Sequence, residues 1–340
     1  MTKRTGLFAL LIGALLVQGC ASVPDGEDPV ARPERPASLQ NYIFAGGDTA
    51  ESHRDLLARD DIGGIQIVYS WRKLEPREGE YDFSAIERDL ALADAADKAL
   101  WVQVQDRFFR PQDRLVPDYI LTEPRYDGGL IRQVDNPGEG VPTEQGWATK
   151  QWNPAVRARF QALLSALAER FDGKIEGINL PETSVDPIGG VEAFDCDAYV
   201  DAEIANAAHA SAAFRRSHVV QYVNFWPCEW NDDRGYMTRI FAAAFEHGFG
   251  IGGPDIVPNK RAQVKNSYPF LHRNHERLPI VAMAVQEPTL TYRDPATGTA
   301  FDPETIAAYA RDYLGVDIIF WTAEAPWLSE AEAGDNAPNP

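Results

Sequence analysis

The sequence is poor in cysteine and in basic residues. It has three cysteines, and its 51 aspartates and glutamates outnumber its 32 lysines and arginines, which gives a formal net charge of −19 at pH 7. Three cysteines form at most one intramolecular disulfide, so a disulfide-rich scaffold is excluded. A strongly acidic chain is also a poor match for DNA or an anionic membrane surface. We therefore expect no nucleic-acid partner and a neutral ligand.

Linkers are scarce as well. No serine- and glycine-rich stretch interrupts residues 41–328, which favours one large domain over that range. Residues 20–40 are rich in Pro, Asp, Glu and Arg and predict a flexible tether. Residues 329–340 predict a disordered tail.

One apolar run stands near the N-terminus, from Gly6 to Val17, and it is too short to span a bilayer. It follows two basic residues and is followed by polar sequence, which is typical of a secretory signal. The segment "VQGC", which ends at Cys20, resembles the lipobox of bacterial lipoproteins. The resemblance implies a signal peptide over residues 1–19, cleavage before Cys20 and lipid attachment to its thiol. An ordinary signal peptide with an incidental cysteine is the alternative.

Lipid attachment would place the protein in the cell envelope of a Gram-negative bacterium, held to the membrane through the lipid alone. Ala21 resembles the sorting pattern of outer-membrane lipoproteins. Loss of Lys3 and Arg4 with the signal would take the net charge from −19 to −21. Cys196 and Cys228 would then remain as an even pair in an oxidising compartment, and we expect a disulfide between them.

Short β-branched or aromatic runs alternate with helical patterns after residue 41, which is typical of βαβ units and a parallel sheet. We predict eight strands, near Tyr42–Ala45, Ile65–Tyr69, Leu100–Gln105, Ile175–Leu180, Val219–Phe225, Phe249–Gly252, Ile280–Val285 and Asp317–Trp321. Eight strands with seven intervening segments favour a (β/α)8 TIM barrel over an open sheet. The chain after Trp327 is short and polar, so the last helix would be incomplete.

In such a barrel, the loops after the strands carry the functional site. Amides, charged groups and indoles are concentrated at these positions: Trp71, Arg72, Gln105, Arg107, Asn179, Glu182, Asn224, Trp226, Asp255, Gln286, Glu287 and Trp321. Amides that bind hydroxyls, aromatic rings that stack on C–H faces and a pair of acids suit a carbohydrate ligand. Each of the three tryptophans could instead pack within the barrel.

Four segments resemble retaining glycoside hydrolases with a (β/α)8 barrel. "SWRKLEPREGEYDFSAIERDL", from Ser70, matches the W-x-x-x-E-P-x-x-G-x-Y-D-F-S pattern that follows their second strand. "QWNPAVRARFQALLSALAERFDGKIEGINLPE" is similar to their approach to strand four. "IVAMAVQEPTL" and "IIFWTAEAPW" fall where strands seven and eight would carry the nucleophile and an aromatic platform.

The resemblance implies that Glu182 is the catalytic acid/base and Glu287 the nucleophile. Glu287 shares parity with Val281, Met283 and Val285, which would continue a barrel-facing row. The alternative for Glu182 is an acid at the start of a helix after a proline. For Glu287 the alternative is a solvated loop acid.

The sequence also departs from that family. Leu180 and Pro181 separate Asn179 from Glu182, whereas the family places an asparagine directly before the acid/base glutamate. Arg107 is the candidate for the usual strand-three arginine, and strand six has no tyrosine or histidine. A non-catalytic carbohydrate-binding or scaffold lipoprotein, with a barrel that has lost its acid pair, is therefore the second functional hypothesis.

Two motifs give no support for a cofactor or a metal. "GIGGPD" lacks the Gly-Lys-Ser/Thr ending of a phosphate loop and predicts a turn that directs Asp255 to the site. His272 and His275 have no further partner at ligand spacing, so a solvated helical face is expected. The long segment Arg110 to Trp152 after strand three is either a substrate loop or a simple insertion.

The lipobox generates a first prediction. In Cys20→Ser the protein should be released from the membrane fraction or remain unprocessed, because the lipidated thiol is missing. Membrane fractionation and the intact mass of the mature protein measure this. The same fraction and the same mature mass as wild type would contradict lipid attachment at Cys20.

Overall fold

The computed structural model describes residues 1–2, 32–135, 143–187 and 194–330 of the 340-residue chain. The predicted signal peptide beyond its first two residues, the lipidation site Cys20 and positions 331–340 of the predicted tail lie outside the described residues. In the described ranges, none of the helices combines the length and the apolar character needed to cross a membrane.

Eight parallel strands form a closed barrel, which confirms the predicted (β/α)8 fold. We number them β1 to β8 in chain order: Gln40–Phe44, Gly64–Ser70, Ala99–Gln105, Gly177–Leu180, His218–Tyr222, Gly250–Gly253, Val281–Val285 and Ile318–Thr322. Each predicted strand overlaps one of these. The barrel closes where β1 pairs with β8, with Gln40 opposite Ile318 and Phe44 opposite Thr322.

Helices surround the barrel. In chain order, α1 to α11 are Arg54–Leu57, Trp71–Leu74, Ser84–Ala95, Asp118–Thr122, Pro154–Phe171, Cys196–Ala213, Tyr236–His247, Arg261–Lys265, Ser267–Asn274, Pro303–Tyr309 and Pro326–Glu330. Short 3-10 turns cover Ala50–His53, Pro124–Tyr126, His275–Arg277 and Glu287–Thr291, and a short π-helix covers Ala310–Leu314. In the part of the chain that the structure describes, α11 alone follows β8, so the last helix is short there.

Helix α5 illustrates how the sequence specifies a barrel helix. The Asn153 side chain accepts hydrogen bonds from the backbone N–H groups of Ala155 (2.8 Å) and Val156 (3.4 Å), and Pro154 occupies the first turn. Its buried stripe consists of Val156, Phe160, Leu163, Leu164, Leu167, Ala168 and Phe171. Each large apolar side chain contributes about 1.5 to 3 kcal/mol when it is buried.

A separate cluster of side chains fills the barrel interior: Tyr42, Phe44, Trp101, Val220, Tyr222, Ile280, Ala282, Ala284, Ile318 and Phe320. Trp101 fits because Gly177 opposite it has no side chain; a Cβ there would lie 2.6 Å from the indole. Gln66 donates hydrogen bonds to Asn179 Oδ1 (2.7 Å) and to the Tyr222 hydroxyl (2.9 Å). Asn179 is therefore held inside the barrel.

The segments after β3 and β4 form a second sheet, which we call the rim sheet. Its strands, in spatial order, are Arg107–Phe108, Thr143–Thr149, Leu130–Asp135 and Asp186–Pro187, all antiparallel. The first of these begins two residues after the end of β3 and the last begins six residues after the end of β4, so the rim sheet stands at the C-terminal ends of the barrel strands. The predicted long segment from Arg110 to Trp152 thus contributes ordered strands there.

The described part of the predicted tether is bound to the opposite end of the barrel. Arg32 donates hydrogen bonds to the carbonyl of Gly248 (2.5 Å) and to Ser211 Oγ (3.0 Å). Arg35 forms an ion pair with Asp317 (2.6 Å), the residue before β8. Strand β1 begins at Gln40, one residue before the predicted domain boundary.

A disulfide joins Cys196, the first residue of α6, to Cys228 in the loop after β5, as the sequence predicted. The two Cα atoms are 6.3 Å apart, within the usual range for a disulfide. The bond ties together segments that follow neighbouring strands β4 and β5.

The disulfide should add measurable stability. Replacing Cys196 and Cys228 together by alanine should lower the free energy of unfolding by roughly 3 to 4 kcal/mol, because the bond spans 32 residues of sequence. Urea unfolding measures this loss. Reduced wild type should match the double variant, and reductant should not change the double variant. Equal unfolding midpoints for oxidised wild type and the double variant would contradict the prediction.

Candidate active site

A cavity of about 350 Å³ lies at the C-terminal ends of β4 to β7, against the rim sheet. Its polar lining consists of the acids Glu182, Asp186, Asp255 and Glu287, the amides Gln133, Asn224, Gln263 and Gln286, together with Ser184 and Lys260. Phe109, Val134, Phe225, Pro254, Ala262 and Pro288 supply apolar surface. The cavity therefore combines hydrogen-bonding groups, aromatic rings and carboxylates.

A second cavity, of about 480 Å³, lies at the N-terminal ends of the strands. Its lining includes Asp97, Lys98, Glu176 and Arg216, so charges of both signs are mixed there. Sites of (β/α)8 proteins lie at the C-terminal ends of the strands, and the predicted pair of glutamates lies there too. The cavity of 350 Å³ is accordingly the candidate active site.

Glu182 projects into this cavity from the loop after β4 and is half-buried. Its Oε2 atom accepts a hydrogen bond of 2.5 Å from Asn224 Nδ2. Burial raises the pKa of the Glu182 carboxyl to about 7, and the nearby charge of Asp255 acts in the same direction. The cations Arg107 and Lys260 oppose that shift. A carboxyl with this pKa is half protonated at neutral pH and can donate a proton.

The loop that carries Glu182 is fixed by hydrogen bonds from the next strand's loop. Asn224 Oδ1 accepts from the backbone N–H of Ser184 (3.0 Å), while Asn224 Nδ2 donates to Ser184 Oγ (3.0 Å). Thr183 Oγ1 donates to the carbonyl of Phe225 (2.9 Å). Asn224 thus holds both the carboxylate and the backbone beside it.

The altered spacing before Glu182 has a structural explanation. Strand β4 ends at Leu180, and Pro181 follows outside the ladder, where its carbonyl accepts a hydrogen bond from Gln221 (2.5 Å). Residues 181–185 are irregular, and α6 begins only at Cys196. The alternative expectation that Glu182 starts a helix is therefore wrong.

Glu287 is exposed, lines the same cavity and begins the 3-10 turn after β7. Thr322 donates a hydrogen bond of 2.5 Å to Glu287 Oε1 from the end of β8. Glu287 is exposed, as the alternative of a solvated loop acid predicted. Its side chain nevertheless lines the cavity. The catalytic roles of Glu182 and Glu287 stay predictions at this point.

The parity argument for Glu287 was wrong. Val281, Met283 and Val285 pack with the surrounding helices, whereas Ile280, Ala282 and Ala284 fill the barrel interior. A side chain with the same parity as Val285 would therefore point away from the barrel interior. Glu287 reaches the cavity because the strand ends at Val285 and the chain then turns.

Asp255 and Lys260 form an ion pair on the cavity wall, with 2.5 Å between Asp255 Oδ2 and Lys260 Nζ. Asp255 was predicted for the site, and the turn after β6 does direct it there. Sequence reasoning missed Lys260, although a lysine five residues after a strand-end aspartate was a visible signal. It also missed Gln133 and Phe109, because the rim sheet could not be foreseen.

Gln286 and Asn224 lie in the cavity as predicted, but Asn179 does not line it. Asn179 is fully buried within the barrel by its bond to Gln66. Gln105, the last residue of β3, is half-buried and is likewise not part of the cavity wall.

None of the predicted tryptophans lines the cavity. Trp71 is fully buried, donates to Glu75 Oε2 (2.8 Å) and packs on Phe160. Trp226 is buried against Tyr199, with ring centroids 6.0 Å apart.

Trp321 points out of the barrel and donates to Asn41 Oδ1 (2.8 Å). It lines a different cavity, of about 340 Å³, together with Trp327. The expectation of an indole platform is therefore corrected: at the cavity the aromatic side chains are Phe109 and Phe225.

The two predicted arginines have structural contacts instead of a place in the cavity. Arg72 donates to the carbonyl of Val116 (2.8 Å) and to Asp118 (2.7 Å), so it fastens the segment after β3. Arg107 is fully buried and pairs with Glu203 (2.7 Å). Its Nη1 also donates to the carbonyl of Ser184 (3.2 Å), two residues after Glu182.

No cluster of three or more His, Cys, Asp or Glu side chains suited to a metal ion occurs among residues 32–135, 143–187 and 194–330. His272 stacks on Tyr313 with ring centroids 4.2 Å apart, and its Nδ1 lies 2.9 Å from the Tyr313 carbonyl oxygen.

The raised pKa of Glu182 predicts a specific pH dependence of stability. Between the ordinary value of 4.5 and about 7, the folded chain holds a proton that the unfolded chain has lost. The free energy of unfolding therefore falls as pH rises through this interval. Glu182→Gln should remove on the order of 2 kcal/mol of that fall, as measured by urea unfolding at successive pH values.

The matched control is Glu276→Gln, an exposed glutamate near the opposite end of the barrel. It should retain the wild-type slope of unfolding free energy against pH. Identical slopes for wild type and Glu182→Gln would contradict the raised pKa.

Comparison with solved structures finds a similar fold in the catalytic domain of the beta-amylase from Paenibacillus polymyxa. The TM-score is 0.56 at 9% sequence identity, and the match covers 84% of this chain and 92% of that one. At this identity the likeness establishes the fold alone.

Two further structures give TM-scores below 0.5. A family 39 glycoside hydrolase from Bacteroides cellulosilyticus WH2 gives 0.48 at 13% identity, over 85% of this chain and 56% of that one. The beta-galactosidase from Rahnella sp. R3 gives 0.49 at 13% identity, over 86% of this chain and 52% of that one. This chain thus spans about half of either protein. No protein-family model and no curated protein sequence matches the chain.

Proposed function

We propose that the protein is a retaining glycoside hydrolase acting on a glycan that carries no negative charge. One observation carries the proposal: Glu182 after β4 and Glu287 after β7 line a single cavity at the C-terminal end of a (β/α)8 barrel. The sequence resemblance assigns the acid/base and the nucleophile to these same two positions.

The two carboxyls have environments suited to different roles. Glu182 is half-buried with a pKa near 7, so it acts as the acid and protonates the glycosidic oxygen. Glu287, exposed and bound by Thr322, attacks the anomeric carbon as a carboxylate. The leaving sugar departs with the proton from Glu182. Glu182 then takes a proton from water, which displaces Glu287 and restores both groups.

The other lining residues suit a sugar. Gln286 offers an amide group to hydroxyls, and Phe109, with 44% of its surface exposed, offers an aromatic face. Lys260 is already paired with Asp255. Because the cavity is otherwise lined by acids, a uronate, sulfate or phosphate group on the glycan would be repelled.

We further propose that the mature protein is lipid-anchored through Cys20 in the outer membrane of a Gram-negative cell envelope. The lipobox resemblance and the predicted signal peptide support this. The proposed chemistry requires no cofactor.

A panel of chromogenic glycosides and polysaccharides tests the hydrolase. Glu287→Gln should remove nearly all hydrolysis. Glu182→Gln should slow substrates with poor leaving groups by about 10²- to 10⁴-fold and those with good leaving groups much less, because only the former need a proton. Wild-type activity should fall as pH rises through about 7, where Glu182 loses its proton.

Glu276→Gln again serves as the matched control and should keep wild-type rates. Hydrolysis that survives both Glu182→Gln and Glu287→Gln would overturn the assignment. Binding of glycans without any hydrolysis by wild type would instead support the carbohydrate-binding lipoprotein.

A further inference from the structure

Asp255 lines the cavity together with Glu182 and Glu287. It lies two residues after the end of β6 and is buried, with 6% of its surface exposed. A buried carboxylate needs hydrogen-bond donors and a counter-charge. The structure supplies both, and the donors come from the loops that form the site.

One oxygen of Asp255 contacts the segment that carries Glu287. Thr289 Oγ1 donates a hydrogen bond of 3.1 Å to Asp255 Oδ1. Thr289 is buried and belongs to the 3-10 turn that begins with Glu287, and its backbone N–H bonds to the carbonyl of Gln286 (2.9 Å). Asp255 therefore holds the turn through Thr289, two residues from the proposed nucleophile.

The other oxygen of Asp255 holds the cation of the cavity. Lys260 Nζ lies 2.5 Å from Asp255 Oδ2, and Gln263 Nε2 donates to the same atom at 3.3 Å. Only 15% of the Lys260 side chain is exposed. Because Lys260 is ion-paired with Asp255, its positive charge partly cancels the effect of the aspartate's negative charge on the cavity.

We propose that Asp255 is a positioning residue that holds the turn bearing Glu287 and places a negative charge beside Glu182, with Lys260 as the counter-ion that limits this charge. The role in hydrolysis rests on the proposed function. The electrostatic effect on Glu182 does not require hydrolysis.

The charged neighbours of Glu182 act on its pKa in both directions. Burial raises the pKa of Glu182, Asp255 raises it further, and the cations Arg107 and Lys260 lower it. Asn224 faces Glu182 from the β5 loop as a neutral donor. The remaining acids of the cavity wall are Asp186 from the rim sheet and Glu287 from the β7 turn.

Two substitutions should move the titration of Glu182 in opposite directions. Asp255→Asn removes a negative neighbour and keeps an acceptor for Thr289, so the midpoint should fall by roughly half to one pH unit. Lys260→Met removes a positive neighbour and leaves Asp255 unbalanced, so the midpoint should rise by a similar amount. Carboxyl-¹³C NMR of the full chain measures the midpoint, with the Glu182 signal assigned from Glu182→Gln.

A third substitution separates positioning from charge. Thr289→Val removes the bond to Asp255 but leaves every charge in place. It should lower kcat about tenfold, as expected for loss of one fixed hydrogen bond, while the Glu182 midpoint stays at the wild-type value. Thr297→Val, at an exposed loop position, is the matched control and should change neither quantity.

The outcomes are distinct. An unchanged midpoint in both charge variants, or a shift of both in the same direction, overturns the electrostatic inference. Wild-type kcat in Thr289→Val overturns the positioning inference. If midpoints move as expected while wild type hydrolyses no glycan, the proposed function fails and the electrostatic role of Asp255 stands.

Discussion

Closure of the sheet between β1 and β8 is the constraint on which the site depends. Parallel strands in a closed barrel bring all eight C-terminal ends to one rim, whatever their separation in sequence. Glu182 and Glu287 are brought to one cavity in this way. Closure in turn requires a filled interior. Trp101 contributes to that filling because Gly177 leaves space for its indole.

The positions of the barrel strands could be predicted from the sequence. The barrel strands lie in short runs that are mostly apolar and that alternate with helical patterns, so all eight could be predicted. Residues that directly follow a strand, such as Asn224, Asp255 and Gln286, were placed correctly because a strand end fixes position to within one or two residues.

Side-chain direction was harder to predict than strand position. Trp321 lies within β8, but its parity turns the indole outward to Asn41, as the pleat dictates. Trp71 opens a helix, which buries its ring against Phe160. The rim sheet pairs residues from two separate segments around β4, and such long-range antiparallel pairing leaves no local pattern. Phe109 and Gln133 were missed for that reason.

A cluster of buried charges contacts the loop that carries Glu182. Arg107, Asp106 and Glu203 are all almost fully buried, and Arg107 Nε stays 3.7 Å from Asp106 Oδ1. Such clusters seldom stabilise a fold relative to apolar packing. Here the guanidinium also reaches the Ser184 carbonyl, so it restrains the backbone that follows Glu182.

The Cys196–Cys228 bond has a consequence for motion. It links the start of α6 to Cys228 in the loop after β5. Cys228 lies four residues after Asn224, which donates a hydrogen bond to Glu182. The two segments cannot separate without breaking a covalent bond, so excursions of the cavity wall become correlated and small. Opening of either segment must therefore carry the other segment with it, which raises its free energy above that of an untethered loop.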